Sequence, residues 1–287
     1  MGGSLTGISK GGLKMSIRLI ALDLDGTLLT ADKSILPETA EALEDAQSKG
    51  IYVVPATGRP FSGIPANVLS LSGLQYLIAS NGALTYNIKN NSILRKDLLK
   101  KDRIHDIFSL LDRPEYIVEV FVGGRGYHEE EAGRTLMAQF RGTPLENYLA
   151  GSRTVIGDLK EFVSLHGSDV ENISVLYPDI PHLEASYDEL TALPDISVVR
   201  STPRVLEIGG ANADKGKALT ALAETLGLKK EELMVFGDSN NDFGLFEAAG
   251  TAVAMENATP ELKALSHLIT KSNEENGIAH TLRTLLP

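Results

Sequence analysis

Two aspartates two residues apart, Asp23 and Asp25, follow a short apolar run in the segment LDLDGT. Residues two apart on a strand project to the same side, so the two carboxylates would be aimed together where the strand gives way to a glycine-containing turn. Close like charges repel each other and raise at least one pKa. A divalent cation would relieve that conflict, and so would a division of roles into one nucleophile and one proton carrier.

Three other segments place polar residues at the end of a predicted strand or the start of a predicted helix. They are Thr57-Gly58-Arg59 in PATGRP, Lys215 in ADKGKA, and Asp238, Asn241 and Asp242 in GDSNND. A hydroxyl and the amides that open a helix can hold phosphate oxygens, as predicted for Thr57 and Gly58. Each segment alone is typical of an ordinary turn, cap or surface residue, but in combination they predict one site at the carboxyl edge of a sheet.

The composition restricts what such a site can be. The 287-residue chain has 43% hydrophobic residues, no cysteine and a formal net charge of -11. Thiolate catalysis, disulfides and cysteine metal sites are therefore excluded, and the overall field repels nucleic acid and anionic membranes. A phosphate-handling site in this chain must bring its own positive charge, from particular lysines or arginines or from a bound metal.

The elements that must position these residues alternate between strands and helices. From residue 17 the chain reads IRLIALDL, PETAEALEDAQSKG, IYVVPAT and QYLIAS, and the pattern resumes near Arg204 with VLEIGG, ADKGKALTALAETLG and LMVFGD. Apolar strands separated by helices predict an α/β fold with a doubly wound, Rossmann-like parallel sheet as its core. In residues 86–201, charged helical segments lie between strands such as EYIVEVFV and NISVLY. This segment is predicted to form an inserted α+β cap domain, with the core at 15–85 and 202–287.

The first fourteen residues are rich in glycine and precede a second methionine, Met15. We interpret residues 1–14 as a disordered expression scar and expect a cytoplasmic protein, because this segment lacks the apolar stretch of a secretory signal.

These segments resemble the motifs of the haloacid dehalogenase superfamily of phosphotransferases. LDLDGTLL is similar to its first motif, Thr57 to its second, Lys215 to its third and GDSNND to its fourth. The resemblance covers nearly the whole chain from Met15. Asn81-Gly82-Ala83 and the segment VAMENATPELK are similar to the Cof-like branch, subclass IIB, which carries a C2B-type cap.

The resemblance implies a mechanism for the acidic residues. Asp23 would be the nucleophile that forms an aspartyl phosphate. Asp25 would protonate the leaving group and then deprotonate the attacking water. Mg²⁺ would be held by Asp23, the backbone carbonyl of Asp25, and Asp238, and would offset the clustered negative charge.

The resemblance also implies roles for the remaining residues. Lys215 would supply a second positive charge, while Thr57 and the Asn241 amide would hold phosphoryl oxygens. Asp242 would lie behind the metal and orient Lys215 or a metal-bound water. Arg59 has two interpretations, contact with the substrate or a structural ion pair.

We therefore expect a Mg²⁺-dependent phosphatase, a phosphoric monoester hydrolase acting on small phosphorylated metabolites, with sugar phosphates as the first class to test. Two alternatives stay open. A sugar phosphomutase of the phosphomannomutase kind would retain the phosphoryl group, and a regulator without turnover would bind a phosphometabolite only. No nucleic-acid or membrane partner is expected, and the oligomeric state is open.

Overall fold

The computed structural model describes residues 17–286. Residues 1–14, interpreted above as an expression scar, lie outside the described residues. In chain order, the strands are β1 (Leu19–Leu22), β2 (Tyr52–Pro55), β3 (Tyr76–Ala79), β4 (Leu84–Asn87), β5 (Ser92–Lys96), β6 (Ile117–Val122), β7 (Arg125–Glu129), β8 (Arg153–Ile156), β9 (Val170–Leu176), β10 (Ile196–Thr202), β11 (Val205–Gly210), β12 (Leu233–Gly237), β13 (Thr251–Ala254) and β14 (Leu268–Ile269).

The α-helices are distributed among these strands along the chain. They are α1 (Pro37–Ser48), α2 (Ala66–Leu69), α3 (Lys101–Leu110), α4 (Glu130–Gln139), α5 (Pro144–Ser152), α6 (Leu159–His166), α7 (Ile180–Thr191), α8 (Lys215–Thr225), α9 (Phe243–Ala248), α10 (Pro260–Leu265) and α11 (Gly277–Leu285).

A five-stranded parallel sheet forms the core, in the order β14-β13-β12-β1-β2. Strands β1, β12 and β13 are buried along their whole length, as expected for parallel strands that are covered on both faces. The chain moves from β1 to β2 on one side and later returns to β12 on the other. This reversal leaves a crevice beyond the carboxyl ends of β1 and β12, and the predicted α/β class is confirmed.

Strand β3, the predicted QYLIAS strand, forms a small antiparallel sheet with β4 and β5. A single bridge between Ala56 and Ile78 joins this sheet to the end of β2. The amide of Thr57 also donates to the carbonyl of Ile78, at 2.9 Å. The loop after β2 is therefore fixed by backbone hydrogen bonds on its outer side.

A second large sheet has six strands in the order β10-β11-β9-β6-β7-β8 and is antiparallel except for the β7–β8 pair. We refer to this sheet with helices α3 to α7 as the cap. Its side chains alternate between two faces, as strand geometry requires. On β6, Val120 and Val122 lie in an apolar core with residues of α3, α6 and α7, whereas Glu119 and Phe121 line a cavity.

Strand β11 differs from the sequence-based expectation. VLEIGG was expected to resume the core, but it pairs antiparallel with β9 and β10 in the cap sheet. Leu206 and Ile208 complete the apolar core of the cap, and that burial compensates for ordering the strand there. The local pattern predicts a strand without specifying its partners, and the boundaries at 85/86 and 201/202 stay a prediction.

Helix α8 begins directly after β11 and a short turn. The side chain of Asp214 caps it by accepting from the amide of Lys217, at 2.8 Å. A Cβ atom at Gly216 would lie 1.9 Å from the carbonyl oxygen of Gly244 in α9, so glycine alone permits this approach of the two helices. The contact fixes the first turn of α8 against the segment that follows β12.

Candidate active site

The predicted acidic residues meet in the crevice between β1 and β12. Asp23 follows β1 directly and is buried, and its amide extends the ladder by donating to the carbonyl of Phe236, at 3.1 Å. Asp238 follows β12, and its Oδ1 accepts from the hydroxyl of Thr27, at 2.9 Å. Gly26 has a φ of +82°, and a Cβ there would lie 2.5 Å from Oδ2 of Asp238. The glycine of LDLDGT therefore lets the first loop approach the distal carboxylate closely.

Lys215 joins the acidic residues from the start of α8. Its buried Nζ donates to Oδ1 of Asp23 at 2.6 Å and to Oδ1 of Asp242 at 2.8 Å. Burial alone would lower the pKa of Lys215, but the charges of Asp23 and Asp242 outweigh it and raise the pKa. Lys215 is therefore a fixed positive charge beside Asp23.

Both oxygens of Asp242 are already in use within the protein. Oδ1 accepts from Lys215, and Oδ2 accepts from the amides of Asp238 and Ser239 at 3.0 and 3.2 Å. Asp242 thus lies behind the site, where it orients Lys215 and the turn that carries Asp238.

The carboxylates fit a divalent cation. Asp23, Asp238 and Asp242 each offer one oxygen within 4.8 Å of the others, and carboxylate oxygens are ligands that Mg²⁺ prefers. Burial, reinforced by neighbouring carboxylates, raises the pKa of Asp23 well above its usual value and that of Asp238 to about 7. The negative charge is therefore only partly compensated by Lys215. Since Asp242 is occupied, Asp23 and Asp238 are the side chains suited to hold the metal.

Asp25 is held by two cations. Arg59 donates from Nε to Oδ2 at 2.7 Å and from Nη2 to Oδ1 at 2.6 Å, and Lys33 donates to Oδ1 at 2.8 Å. Burial raises the pKa of Asp25, but the hydrogen bonds and charge of Arg59, with those of Lys33, outweigh it and lower the pKa to about 2. Of the two interpretations of Arg59, the ion pair is present in this arrangement.

The predicted phosphate-binding residues border the same cavity, which has a volume of about 400 Å³ and is also lined by Asp23, Asp25 and Asp238. They are Thr57, Gly58, Arg59 and Asn241. The hydroxyl of Thr57 accepts from the amide of Arg59, at 3.2 Å. Asn241 donates from Nδ2 to Oδ1 of Asn81, at 3.2 Å. The four sequence segments therefore converge, with Lys215 and Asp242 buried behind the other acidic residues.

Residues of the cap close the opposite side of the cavity. The ring of Tyr148 in α5 lies between two guanidinium groups, 4.2 Å from that of Arg59 and 4.6 Å from that of Arg153. Arg153 in turn pairs with Glu119, at 2.9 Å. This stack connects the loop after β2 to the cap sheet.

Comparison with known proteins identifies the family. Residues 20–282 match the family model of the haloacid dehalogenase-like hydrolases. The chain belongs to this family. Phosphatase YwpJ of Bacillus subtilis (strain 168) is 32% identical, over 94% of this chain and 100% of that protein. Pyridoxal phosphate phosphatase YbhA of Escherichia coli (strain K12) is 28% identical, over 92% of this chain and 97% of that protein.

A solved haloacid dehalogenase-like hydrolase from B. subtilis has the same fold, with a TM-score of 0.84 and 31% identity over 94% of this chain and 100% of that one. The resemblance to the Cof-like branch is confirmed. As a haloacid dehalogenase-like hydrolase with phosphatases as relatives, the protein is an enzyme of the phosphoric monoester hydrolase class. Among residues 17–286, we find no helix with the length and hydropathy needed to span a bilayer.

Several residues around the site of this haloacid dehalogenase-like hydrolase were not predicted as site residues. They are Lys33, Asn81, Glu119, Tyr148, Arg153 and Glu207. Asn81 carried a signal, because the Asn-Gly pair was recognised in the resemblance. The cap residues gave no such signal in the sequence, because their inward orientation depends on how the cap sheet lies over the crevice.

Proposed function

We propose that this haloacid dehalogenase-like hydrolase is a Mg²⁺-dependent phosphatase of small phosphorylated metabolites. The observation that carries the proposal is the cluster of Asp23, Asp238 and Asp242 at the carboxyl ends of β1 and β12, in which buried Lys215 pairs with Asp23 and Asp242. A cavity of about 400 Å³ adjoins it, which suits a small ester and not a macromolecule. The cytoplasmic location expected from the sequence stays part of the proposal.

The reaction has two steps. The Asp23 carboxylate attacks phosphorus in line, the bond to the leaving oxygen breaks, and that oxygen takes a proton from Asp25. Water then attacks the aspartyl phosphate, gives a proton to Asp25, and releases inorganic phosphate and the Asp23 carboxylate. Thr57 and Asn241 hold the phosphoryl oxygens, and Lys215 supplies positive charge beside Asp23. Asp23, Asp238 and the backbone carbonyl of Asp25 would hold Mg²⁺, which would supply further charge compensation for the phosphoryl group.

The ion pairs of Asp25 bear on its two roles. With a pKa of about 2, Asp25 is ionised near neutral pH, which is the form that accepts a proton from water. Donation to the leaving oxygen requires a protonated carboxyl group, so the contacts with Arg59 and Lys33 must loosen when the substrate binds. The role of Asp25 as a base therefore follows more directly from the geometry than its role as an acid.

The cap side of the cavity bears on the leaving group. Apolar side chains predominate there: Ile117, Phe121, Leu136, Phe140, Leu145, Tyr148, Leu149, Leu176 and Val205. Such a wall favours a leaving group with an apolar or aromatic face over a bare polyol. Sugar phosphates were the first expectation, and pyridoxal phosphate, named for the relative YbhA, is the second class that this wall supports.

The test is a panel of phosphate esters, including glucose 6-phosphate and pyridoxal phosphate, assayed for phosphate release with Mg²⁺ and with EDTA. Asp23→Asn should abolish turnover because it removes the nucleophile, whereas the matched change Asp188→Asn, at an exposed position of α7, should not. Normal activity of Asp23→Asn would refute the proposal. Isomerised ester without phosphate release would indicate a mutase, and saturable binding without either product would indicate a regulator.

A further inference from the structure

Glu207 of β11 is a carboxylate that the proposed mechanism does not use, although it borders the phosphate-binding residues. It lines the cavity from the cap side. A Cβ atom at Gly58 would lie 3.0 Å from its Oε2. An additional negative charge beside a phosphate site opposes anion binding, so its position calls for a compensating function.

The hydrogen bonds of Glu207 suggest that function. Its Oε2 accepts from Nδ2 of Asn81 and, at 3.3 Å, from Nδ2 of Asn172. The orientation of the buried Asn172 amide is fixed independently, because its Oδ1 accepts from the backbone amide of Ile208, at 3.2 Å. Asn172 thus connects Glu207 to the cap sheet, and Asn81 connects it to the core.

The hydrogen-bonding chemistry of Glu207, Asn81 and Asn241 determines which group donates and which accepts. Oε2 of Glu207 accepts from both Asn81 and Asn172, so Asn81 presents its NH₂ group to Glu207 and its Oδ1 to Asn241. Asn241 must then donate to Asn81, and its Oδ1 accepts from the hydroxyl of Ser239, at 2.8 Å. The NH₂ group of Asn241 has two hydrogens, which leaves one for a phosphoryl oxygen.

The backbone supports the same arrangement. Asn81 has φ and ψ angles of 51° and 34°, in the left-handed region, and its amide donates to the carbonyl of Thr57, at 3.0 Å. A non-glycine residue in this region is uncommon and persists only where its surroundings hold it. Glu207 and Thr57 therefore hold the side chain and the backbone of Asn81, respectively.

We propose that Glu207 is a positioning residue that acts through Asn81 to orient the Asn241 amide as a donor to the phosphoryl group. Without Glu207, the Asn81 amide can rotate and offer NH₂ to Asn241, which then turns its carbonyl oxygen toward the phosphate. The inference rests on the proposed function, because it takes Asn241 as a phosphate ligand. It adds a link by which the cap sheet controls the phosphate site.

The test measures binding of inorganic phosphate by calorimetry and the KM and kcat of phosphate release, with Mg²⁺ present. Glu207→Leu should weaken phosphate binding and raise KM about tenfold, the scale of one lost hydrogen bond. Glu207→Gln keeps the shape but offers either an oxygen or an NH₂ group to Asn81, and should weaken binding by a smaller factor. If Glu207→Leu does not fold, Glu207→Gln decides the outcome, and binding equal to the wild type overturns the proposal.

The matched control is Glu171→Leu. Glu171 is another buried carboxylate of the cap sheet, and it holds the neighbouring Ser80 hydroxyl at 2.7 Å without contacting the Asn81 amide. It should leave phosphate binding within about twofold of the wild type, a difference of about 0.4 kcal/mol. If Glu171→Leu weakened phosphate binding as much as Glu207→Leu does, general anchoring of the loop with Ser80 and Asn81 would explain both effects, and Glu207 would have no specific role.

A double-mutant cycle isolates the route of action. In an Asn241→Ala background, Glu207→Leu should have no further effect on phosphate binding, because its target is gone. Additive losses overturn the inference. If the wild type neither releases nor binds phosphate, the proposed function fails, and the inference with it. If the wild type does both and Glu207→Leu matches it, the inference alone fails.

Discussion

Charge balance governs the site at the scale of single residues. Lys215 places one ammonium group between the buried carboxylates of Asp23 and Asp242, and Asp238 lies close by with a pKa raised to about 7. The arrangement is electrostatically incomplete by itself, since buried negative charge exceeds buried positive charge. A bound cation would supply the missing positive charge and would also offset the negative charge of an entering phosphoryl group.

Replacing Lys215 tests the buried ammonium. Lys215→Met keeps the volume but leaves two carboxylates unpaired, which should lower the free energy of unfolding by about 3–5 kcal/mol. It should also reduce kcat roughly a hundredfold or more, through loss of charge stabilisation in the transition state. Lys217→Met, at an exposed position of the same helix turn, is the control for phosphate release and urea unfolding. An unchanged kcat would remove Lys215 from the site.

The raised pKa values predict how pH and Mg²⁺ act on stability. The pKa of Asp238 rises from about 3.9 in the unfolded chain to about 7 in the fold. Its contribution to stability is therefore complete below about pH 4 and is lost as pH rises through 7. Asp25 has the opposite shift, to about 2, so its contribution to stability is complete above about pH 4 and is lost only as pH falls toward 2.

Because Mg²⁺ competes with protons for Asp238, saturating Mg²⁺ should raise Tm by several degrees more at about pH 8 than at about pH 6. Thermal unfolding with Mg²⁺ or EDTA measures this difference. Asp238→Asn should abolish it. An equal or larger Mg²⁺ effect at the acidic pH would contradict the prediction.

At the scale of secondary structure, close helix packing places the lysine. Helices α8 and α9 touch at Gly216 and Gly244, and Asp214 caps α8 one residue before Lys215. The position of the ammonium group therefore depends on backbone contact as well as on its ion pairs.

Gly216→Ala should disrupt that contact. The new methyl group would meet the Gly244 carbonyl and force the helices apart, so both Tm and kcat should fall, and stability should drop by more than about 2 kcal/mol. Gly151→Ala, in α5, is the control because a Cβ there would meet no described atom within 4 Å. It should be neutral or stabilising by up to about 1 kcal/mol. Equal stability of the two variants would contradict the packing argument.

Local patterns predicted most elements and the positions of the chemical residues, because strand ends and helix starts depend on residues close in the chain. Strand β12, for example, forms where LMVFGD predicts a strand, and Asp238 follows it directly. Which strands pair with one another was harder to predict from the sequence. The pattern of β11 predicts a strand but cannot distinguish an antiparallel cap sheet from the parallel core. Lys33 and Tyr148 could not be assigned to the site, since only long-range packing brings them there.

At the scale of the whole molecule, the Tyr148 stack connects the two large sheets. Its ring contacts Arg59, which holds Asp25, and Arg153, which pairs with Glu119 on the cap sheet. Gly63 permits the approach, since a Cβ there would lie 2.5 Å from the tyrosine ring. A leaving group that binds against Tyr148, as proposed, would therefore affect the environment of Asp25 through Arg59.

Tyr148→Leu should raise KM for esters with large leaving groups about tenfold, because the cap wall loses the aromatic face of Tyr148, and a ring contact is worth about 0.5–1.5 kcal/mol. KM for acetyl phosphate, whose leaving group is too small to reach the cap wall, should change little. Tyr187→Leu, at an exposed position of α7, is the control. The same increase for acetyl phosphate would show that Tyr148 has no selective role toward the leaving group.

The short turn before α8 has a mechanical consequence. Strand β11 ends at Gly210 and α8 begins at Lys215, while β5 ends at Lys96 and α3 begins at Lys101. These two crossings are tied together, because Asn212 donates to Asp97 at 3.0 Å and Arg95 donates to the carbonyl of Asn212 at 2.8 Å. The cap is attached to the core by these two neighbouring, cross-linked chain segments. It can therefore rotate about the line through them but cannot slide. We therefore expect any opening of the cap to be a rotation about a single hinge at Asn212, three residues from the lysine that neutralises Asp23.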